Sequence, residues 1–393
     1  MKIRKIIGIC AGIVVIAAAM VMIFFYLHEP FPVECIDLSV TEITALQKVI
    51  NTYQEKVDYK LRLISIDSDN NSSKIINTKK GAYIGYLNEN LRQNSDKYGN
   101  VPEDLIKRTA RSVQSTVRRN NNSDTYWALP LVMDHLEFFT QQKSVLTEKN
   151  GITTPEQVLK LVPEIDKKTR YQAVIAGKDD DLLLDIIGQI VASTNGYEAY
   201  TALCSQSLDV TAPEAFAASQ PAFTEAIHIL SDWQKSKWLH PNWLDLNVQS
   251  SQKLIEMKQA LFVIQTLEQH RQIDRSVLTE GKATRFLEVG TKTRIMTAPT
   301  IVGCIPIKGR WVQAAQDFLS WLMSEEGQKV LSQDTGLAPT VLSIAAPDTQ
   351  AREVRSWASA SQIIQGWSKD GFTDKKTRTE FAAKLREYIQ RNK

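Results

Sequence analysis

The chain has 393 residues, 43% hydrophobic and 23% charged, a globular composition with length enough for two domains, which excludes disorder on that scale. Its 47 basic and 44 acidic side chains leave a net charge of +3, too balanced for a nucleic-acid footprint, and no basic cluster is interleaved with aromatics. Nucleic acid is therefore set aside as a partner.

Lys2, Arg4 and Lys5 precede an uncharged run from Ile6 to Leu27. As a helix this run reaches about 30 Å, the thickness of a hydrocarbon core. The basic flank is expected to stay in the cytoplasm, which places the bulk outside a single-pass cytoplasmic-membrane anchor, on the periplasmic side. The rival reading is a secretory signal cleaved near Ala17–Ala19; the run continues through Phe24 and Phe25, longer than a signal core needs. Cys10 falls inside the span. Cys35, Cys204 and Cys304 remain, an odd and widely spaced set that permits one bridge at most and has no metal-binding cadence. No metal or cofactor is expected.

After a stiff Pro30-Phe31-Pro32 linker, VECIDLSV reads as a buried strand, and TEITALQKVINTYQEK as a helix with Ile43, Leu46, Val49, Ile50 and Tyr53 on one face. Ser39 and Glu42 fit a capping box at the turn between them. YKLRLISID is a second strand, so strand, helix and strand imply a right-handed crossover and a parallel sheet. SDNNSSKIINTKKG reads as an exposed loop, and residues 101–124 as one helix with Pro102 near its start. YWALPLVMDHLEFF is an extended piece broken at Pro130. TTPEQVLKLVPEI carries Thr154 as a helix cap, residues 182–240 are helix-rich, and KQALFVIQ returns to strand character.

Near the end, Trp311, Ala315, Phe318 and Leu322 form an apolar stripe on a helix. Ser324 ends it and caps the next, with Glu325 and Glu326 at the positive end; Gly336 suits a left-handed stop and Pro339 prevents resumption.

That stretch resembles the late helical segment of the extracellular solute-binding proteins of ABC importers, family 1, the maltodextrin-binding type. The resemblance rests on Ala314-Ala315, Phe318-Leu319, Ser324-Glu325-Glu326-Gly327-Gln328 and Gly336-Leu337-Ala338-Pro339. YWALPLVMDHLEFF, ITTPEQVLKLVPEI, KLIEMKQALFVI and FTDKKTRTEFAAKLREYI are similar, in order, to other segments of that family. The resemblance implies a two-lobed α/β periplasmic-binding-protein fold, type II-like, behind an N-terminal transmembrane helix. Residues 1–32 would be cytoplasmic stub, anchor and linker; 33–129 plus 299–336 lobe one; 130–298 plus 337–393 lobe two. The implied partners are a sugar-like small solute held between the lobes and ABC permease subunits, with the membrane reached through the first helix. The chain departs from the family in GAYIGYL and in Gln265-Thr266-Leu267, where a cleft glycine and tryptophan are common. An anchored module of the same fold that senses, or binds a protein, is the alternative.

A sugar site needs aromatic faces and polar groups for hydroxyls. Tyr126 and Trp127 stand before the expected crossover, as cleft wall or as hinge packing. Asp134 would accept from hydroxyls or cap the next helix. Thr41 lies at the first strand-to-helix turn, the usual ligand edge of an open sheet, or simply starts the helix. Gln265 follows the ALFVI strand, and Arg355 and Trp357 fall where the family has a late cleft aromatic. Trp233, Trp238 and Trp321 read as packing. The five histidines lack metal or catalytic spacing, no nucleophile elbow or phosphate loop is present, and Asp179-Asp180-Asp181 reads as a solvated charge run. An enzyme is not expected.

Overall fold

The computed structural model describes residues 29–66, 81–119, 124–141, 155, 157, 171–208, 212–287 and 294–392. The expected membrane span, the polar loop after the second strand, and all but Pro155 and Gln157 of the expected 152–165 helix lie outside the described residues. Among the described residues, no helix is long and apolar enough to cross a membrane.

The strands, in chain order, are β1 (Phe31–Ile36), β2 (Leu61–Ile66), β3 (Ala82–Tyr86), β4 (Leu129–Met133), β5 (Leu136–Thr140), β6 (Tyr171–Ile175), β7 (Ala260–Thr266), β8 (Lys282–Arg285), β9 (Ile295–Thr297), β10 (Thr300–Cys304), β11 (Ala338–Pro339) and β12 (Gln362–Ile364). They form a six-stranded sheet in the order β11-β4-β10-β3-β1-β2, a four-stranded sheet β6-β7-β5-β8 and a pair β12-β9.

In the first sheet β1 pairs in parallel with both β2 and β3. This is the arrangement expected from strand, helix, strand, because a right-handed crossover returns the chain parallel to where it left. The crossover helix Val40–Gln54 opens with the full capping box: the Glu42 N–H donates to Ser39 Oγ at 3.2 Å, and the Ser39 N–H to Glu42 Oε2 at 2.7 Å. Its buried Leu46, Val49 and Ile50 pack with β1 and with Phe318 and Leu319 of helix Val312–Leu322 into one apolar core.

That helix meets helix Glu325–Thr335 through an abrupt break. Ser324 Oγ accepts from the Gly327 N–H at 3.3 Å, and a Cβ on Gly327 would sit 2.3 Å from the Trp321 carbonyl oxygen, so the close turn needs glycine. Gly336 ends the second helix at φ 71°, the left-handed conformation expected of it, and Ala338-Pro339 then pair with β4. Residues 101–124, read from sequence as one helix, are instead two short helices, Glu103–Ile106 and Arg111–Thr116. Ala110 between them is extended, and Thr109 forms a β-bridge to Val341.

The second lobe has its own core. Helices Asp180–Ser207, Pro213–Ser219, Pro221–Lys235 and Lys375–Arg391 cover β5, β6 and β7, with Trp233, Trp238, Trp243 and Trp367 all buried. Helix Asp180–Ser207 is kinked at Gly196, whose φ is 86°. The chain passes from the first sheet to the second at Asp134-His135, between β4 and β5, rather than at the expected Pro130, which lies within β4 and belongs to the first sheet. It returns at 298–299, between β9 and β10. Helix Thr349–Ser359 packs beside these crossings: Ala351, Val354 and Ala358 share a small core with Val113, Met133, Met296 and Ala298. Cys35, Cys204 and Cys304 are buried free thiols, each pushed up in pKa first by burial.

Candidate functional site

Between the lobes lies a cavity of about 570 Å³. Its first wall is built where β1, β2 and β3 end, from Asp37, Ser39, Glu42, Ile66 and Tyr86. The carboxyl ends of parallel strands are where open α/β sheets present ligand sites, since the chain turns there into helix N-termini and loops. The opposite wall comes from the second lobe: Asp179, Asp181 and Asp185 at the start of helix Asp180–Ser207, Glu268 after β7, and Lys369 and Arg378. Asp134 and Pro299, at two of the crossings between the lobes, line it from the hinge.

The walls are charged, and the charges are unevenly matched. Asp181 receives Lys369 Nζ and Arg378 Nε, each at 2.7 Å; burial acts to raise its pKa, but these two cations hold it down to about 2. Asp180 pairs with Arg386 at 2.6 Å. Glu42, 1% exposed, accepts from the Tyr86 hydroxyl and the Ser39 N–H, yet burial and then the nearby Glu268 carboxylate push it up to about 7. Asp134, 4% exposed, accepts on Oδ1 from the His135 N–H at 2.7 Å and the Glu268 N–H at 3.0 Å; burial, then Glu268, push it up to about 8. Asp185 accepts from the Ser368 N–H at 2.8 Å and is raised to about 7 by burial and then Asp181. His135 brings no positive charge, because burial and then Arg285 lower it to about 3. The causes are physical: desolvation disfavours the charged form, and like charges add to it.

Of the candidate ligand-binding residues named from the sequence, only Asp134 lines this cavity. Thr41 is exposed on the first turn of its helix, one residue from Glu42, which takes the wall position. Tyr126 and Trp127 are 5% and 2% exposed within the first-lobe core, where Trp127 stacks on Tyr98 with ring centroids 6.0 Å apart. The aromatic pair before the crossing thus serves packing. Gln265 is buried in the second sheet and donates to Glu137 at 3.4 Å. Arg355 holds the carbonyls of Val341 and Ile344, and Trp357 packs on the His135 ring at 5.4 Å, so both support the crossings from outside the cavity. Asp179-Asp180-Asp181, read as a solvated run, is instead part of the cleft wall and is anchored by ion pairs.

Glu42, Tyr86, Glu268 and Lys369 were not singled out as site residues. The capping box did mark Glu42, but as a helix start. No local signal joins it to Tyr86 and Glu268, which reach it only through the sheet order and the hinge.

The lobes also touch directly. Arg92, on helix Glu89–Gln93 after β3, pairs with Asp370; Asn90 Nδ2 donates to the Thr373 carbonyl at 3.1 Å; and Lys369 Nζ lies 4.8 Å from the centre of the Tyr86 ring.

This architecture matches solved structures over nearly the whole chain. The bacterial solute receptor AcbH, described as preferring β-D-galactopyranose, superposes with a TM-score of 0.70 at 15% identity, covering 92% of this chain and 98% of that one. The chain has the fold of the two-lobed solute-binding receptors. The binding protein MsmE of Bacillus subtilis, in an open conformation, gives 0.67 at 11% identity, covering 92% of this chain and 95% of that one. A chitin oligosaccharide binding protein gives 0.64 at 15% identity, covering 92% and 98%. The two-lobed architecture implied by the sequence resemblance is therefore the one observed. No protein-family model and no curated protein matches the sequence.

Proposed function

We propose that this protein is an extracytoplasmic solute receptor that holds a small polar solute, carbohydrate-like in its hydroxyl chemistry, between its lobes and hands it to an ABC permease. The observation that carries the reading is the cavity of about 570 Å³ at the strand ends, lined by both lobes and by the crossings at Asp134 and Pro299. That volume suits a small ligand, and a ligand touching both walls favours the closed form by its differential affinity. The names of the structural neighbours, which include a galactopyranose receptor, a chitin oligosaccharide binding protein and a maltose-bound MalE3, support a sugar-like ligand. The activity is binding rather than turnover.

In this reading the uncharged run Ile6–Leu27 remains as a single-pass anchor in the cytoplasmic membrane. A short tether would hold the receptor at high effective concentration beside its permease. The test is thermal melting of the full chain in nanodiscs against a panel of sugars, amino sugars, polyols, peptides and ions. A solute at 100 times its Kd stabilises by about 2.7 kcal/mol. The absence of a shift across the panel would sink the reading. It would instead favour a sensing or protein-binding module, which the direct Arg92–Asp370 contact between the lobes also suits.

A further inference from the structure

The cleft is fixed as the candidate site by its position in the fold and its volume; what its walls add is the charge of the missing guest. Glu42 from the first lobe, Asp134 at the crossing and Glu268 from the second lobe all front on the one cavity. Glu42 and Asp134 are at least nine-tenths buried. Among the described residues, none of the three is in an ion pair, whereas Asp180 and Asp181 on the same wall have theirs. The hydrogen bonds to Glu42 and Asp134 come from backbone N–H groups and from the Tyr86, Ser39 and Thr266 hydroxyls, which satisfy lone pairs without supplying a positive charge. Of the cations on the cavity wall, which also include Lys178, Lys375 and Arg378, Lys369 is tied to Asp181 and lies over the Tyr86 ring, an aromatic face that already accommodates an ammonium. Tyr86, itself buried and bonded to Glu42, is the one aromatic side chain on the cavity wall, so no flat platform for a neutral sugar ring is present among the described residues.

Resting on the receptor reading above, we propose that the solute carries a protonated primary amine, seated between Glu42 and Tyr86 of one lobe and Glu268 of the other, with Asp134 beneath it. A hydroxyl would fill an acceptor and bring no charge; an ammonium fills several acceptors and offsets the repulsion that arises when these carboxyl groups ionise across the cleft. Because that repulsion acts between the lobes, its relief favours closure, which ties ligand charge to the conformational change. An amino sugar and a linear polyamine share this chemistry.

The test is calorimetric titration of the full chain in nanodiscs with D-glucosamine, D-galactosamine and spermidine, each beside its neutral counterpart: D-glucose, D-galactose and a polyol. The expected result is at least tenfold tighter binding of one amine than of its neutral partner, and loss of that preference in Glu268→Gln with an unchanged melting profile. Binding of the amino sugars identifies the ring-bearing class; binding of spermidine alone identifies the linear one, and either supports the proposal. Should Glu268→Gln unfold, Glu42→Gln carries the same readout. A neutral sugar that binds as tightly as its amine overturns this inference and leaves the receptor reading standing. A preference that survives both substitutions also overturns it. No binding by any of these compounds overturns the amine proposal, and the wider melting panel then decides the receptor reading.

Discussion

Arg92 of the first lobe reaches across to Asp370 of the second, and Asp370 is held ready for it. The Tyr200 hydroxyl donates to Asp370 Oδ2 at 2.8 Å, and the Gln365 N–H donates to the same oxygen at 3.1 Å, leaving Oδ1 for the guanidinium. The pair is only partly exposed, with the side chains 30% and 11% accessible. A fixed acceptor and a forked donor on opposite lobes make a latch between them.

Removing the latch should shift the lobes apart. Arg92→Ala is expected to raise the radius of gyration measured by small-angle X-ray scattering without solute, and to lower stability by about 1–2 kcal/mol. An unchanged scattering profile would show that the hinge packing around helix Thr349–Ser359 sets the lobe angle alone.

The buried carboxylates predict how stability varies with pH. Glu42 and Asp134, raised to about 7 and about 8, bind protons in the folded state that they release when unfolded. Between the ordinary carboxylate range near pH 4 and their folded values, the folded form therefore holds more protons, and stability falls as pH rises. Asp181 works in the opposite sense: lowered to about 2, it contributes stability that is lost only as pH falls below 4. Stability without solute should decline from pH 5 to pH 8 by on the order of 5 kcal/mol, read as a falling melting temperature, and the decline should become shallower in Glu42→Gln. A Glu42→Gln profile parallel to the parent would show that the group is already ionised in the fold.

Two glycines carry the helix break and the helix stop. Gly327→Ala places a methyl 2.3 Å from the Trp321 carbonyl oxygen, and Gly336→Ala forces a side chain into the left-handed region at φ 71°. The expected losses are about 1–3 kcal/mol for the first and about 1–2 kcal/mol for the second. Denaturant melts with unchanged slopes would measure both.

Trp127 separates packing from binding. Its ring is buried against Tyr98, away from the cavity, so Trp127→Phe should cost about 1–3 kcal/mol of stability while leaving solute affinity within twofold. A large affinity loss at unchanged stability would return the residue to the cleft wall.

These residues also show what the sequence disclosed. The Ser39–Glu42 capping box, the Ser324 cap and the Gly336 stop were legible because each is a short-range exchange between a side chain and the backbone a few residues away. The two-lobed plan followed from segments matched in order. The cleft was largely hidden, for a physical reason. An aromatic pair before a crossing strand reads the same whether it faces a ligand or a core, and in this chain the distant Tyr98 decides for the core. Likewise three consecutive aspartates look solvated until Lys369, Arg378 and Arg386, far along the chain, pair with two of them. Of the candidate ligand-binding residues Asp134 alone lines the cavity, because it stands at the crossing itself.

The most direct measurement of the account is hydrogen–deuterium exchange on the full chain in nanodiscs, with and without millimolar D-glucosamine, D-galactose or maltose. The receptor reading predicts that at least one of these slows exchange together in 37–43 of the first lobe and in 178–185 and 266–269 of the second, which face each other across the cleft. Protection confined to one lobe, or exchange unchanged with all three, would contradict a solute held between the lobes.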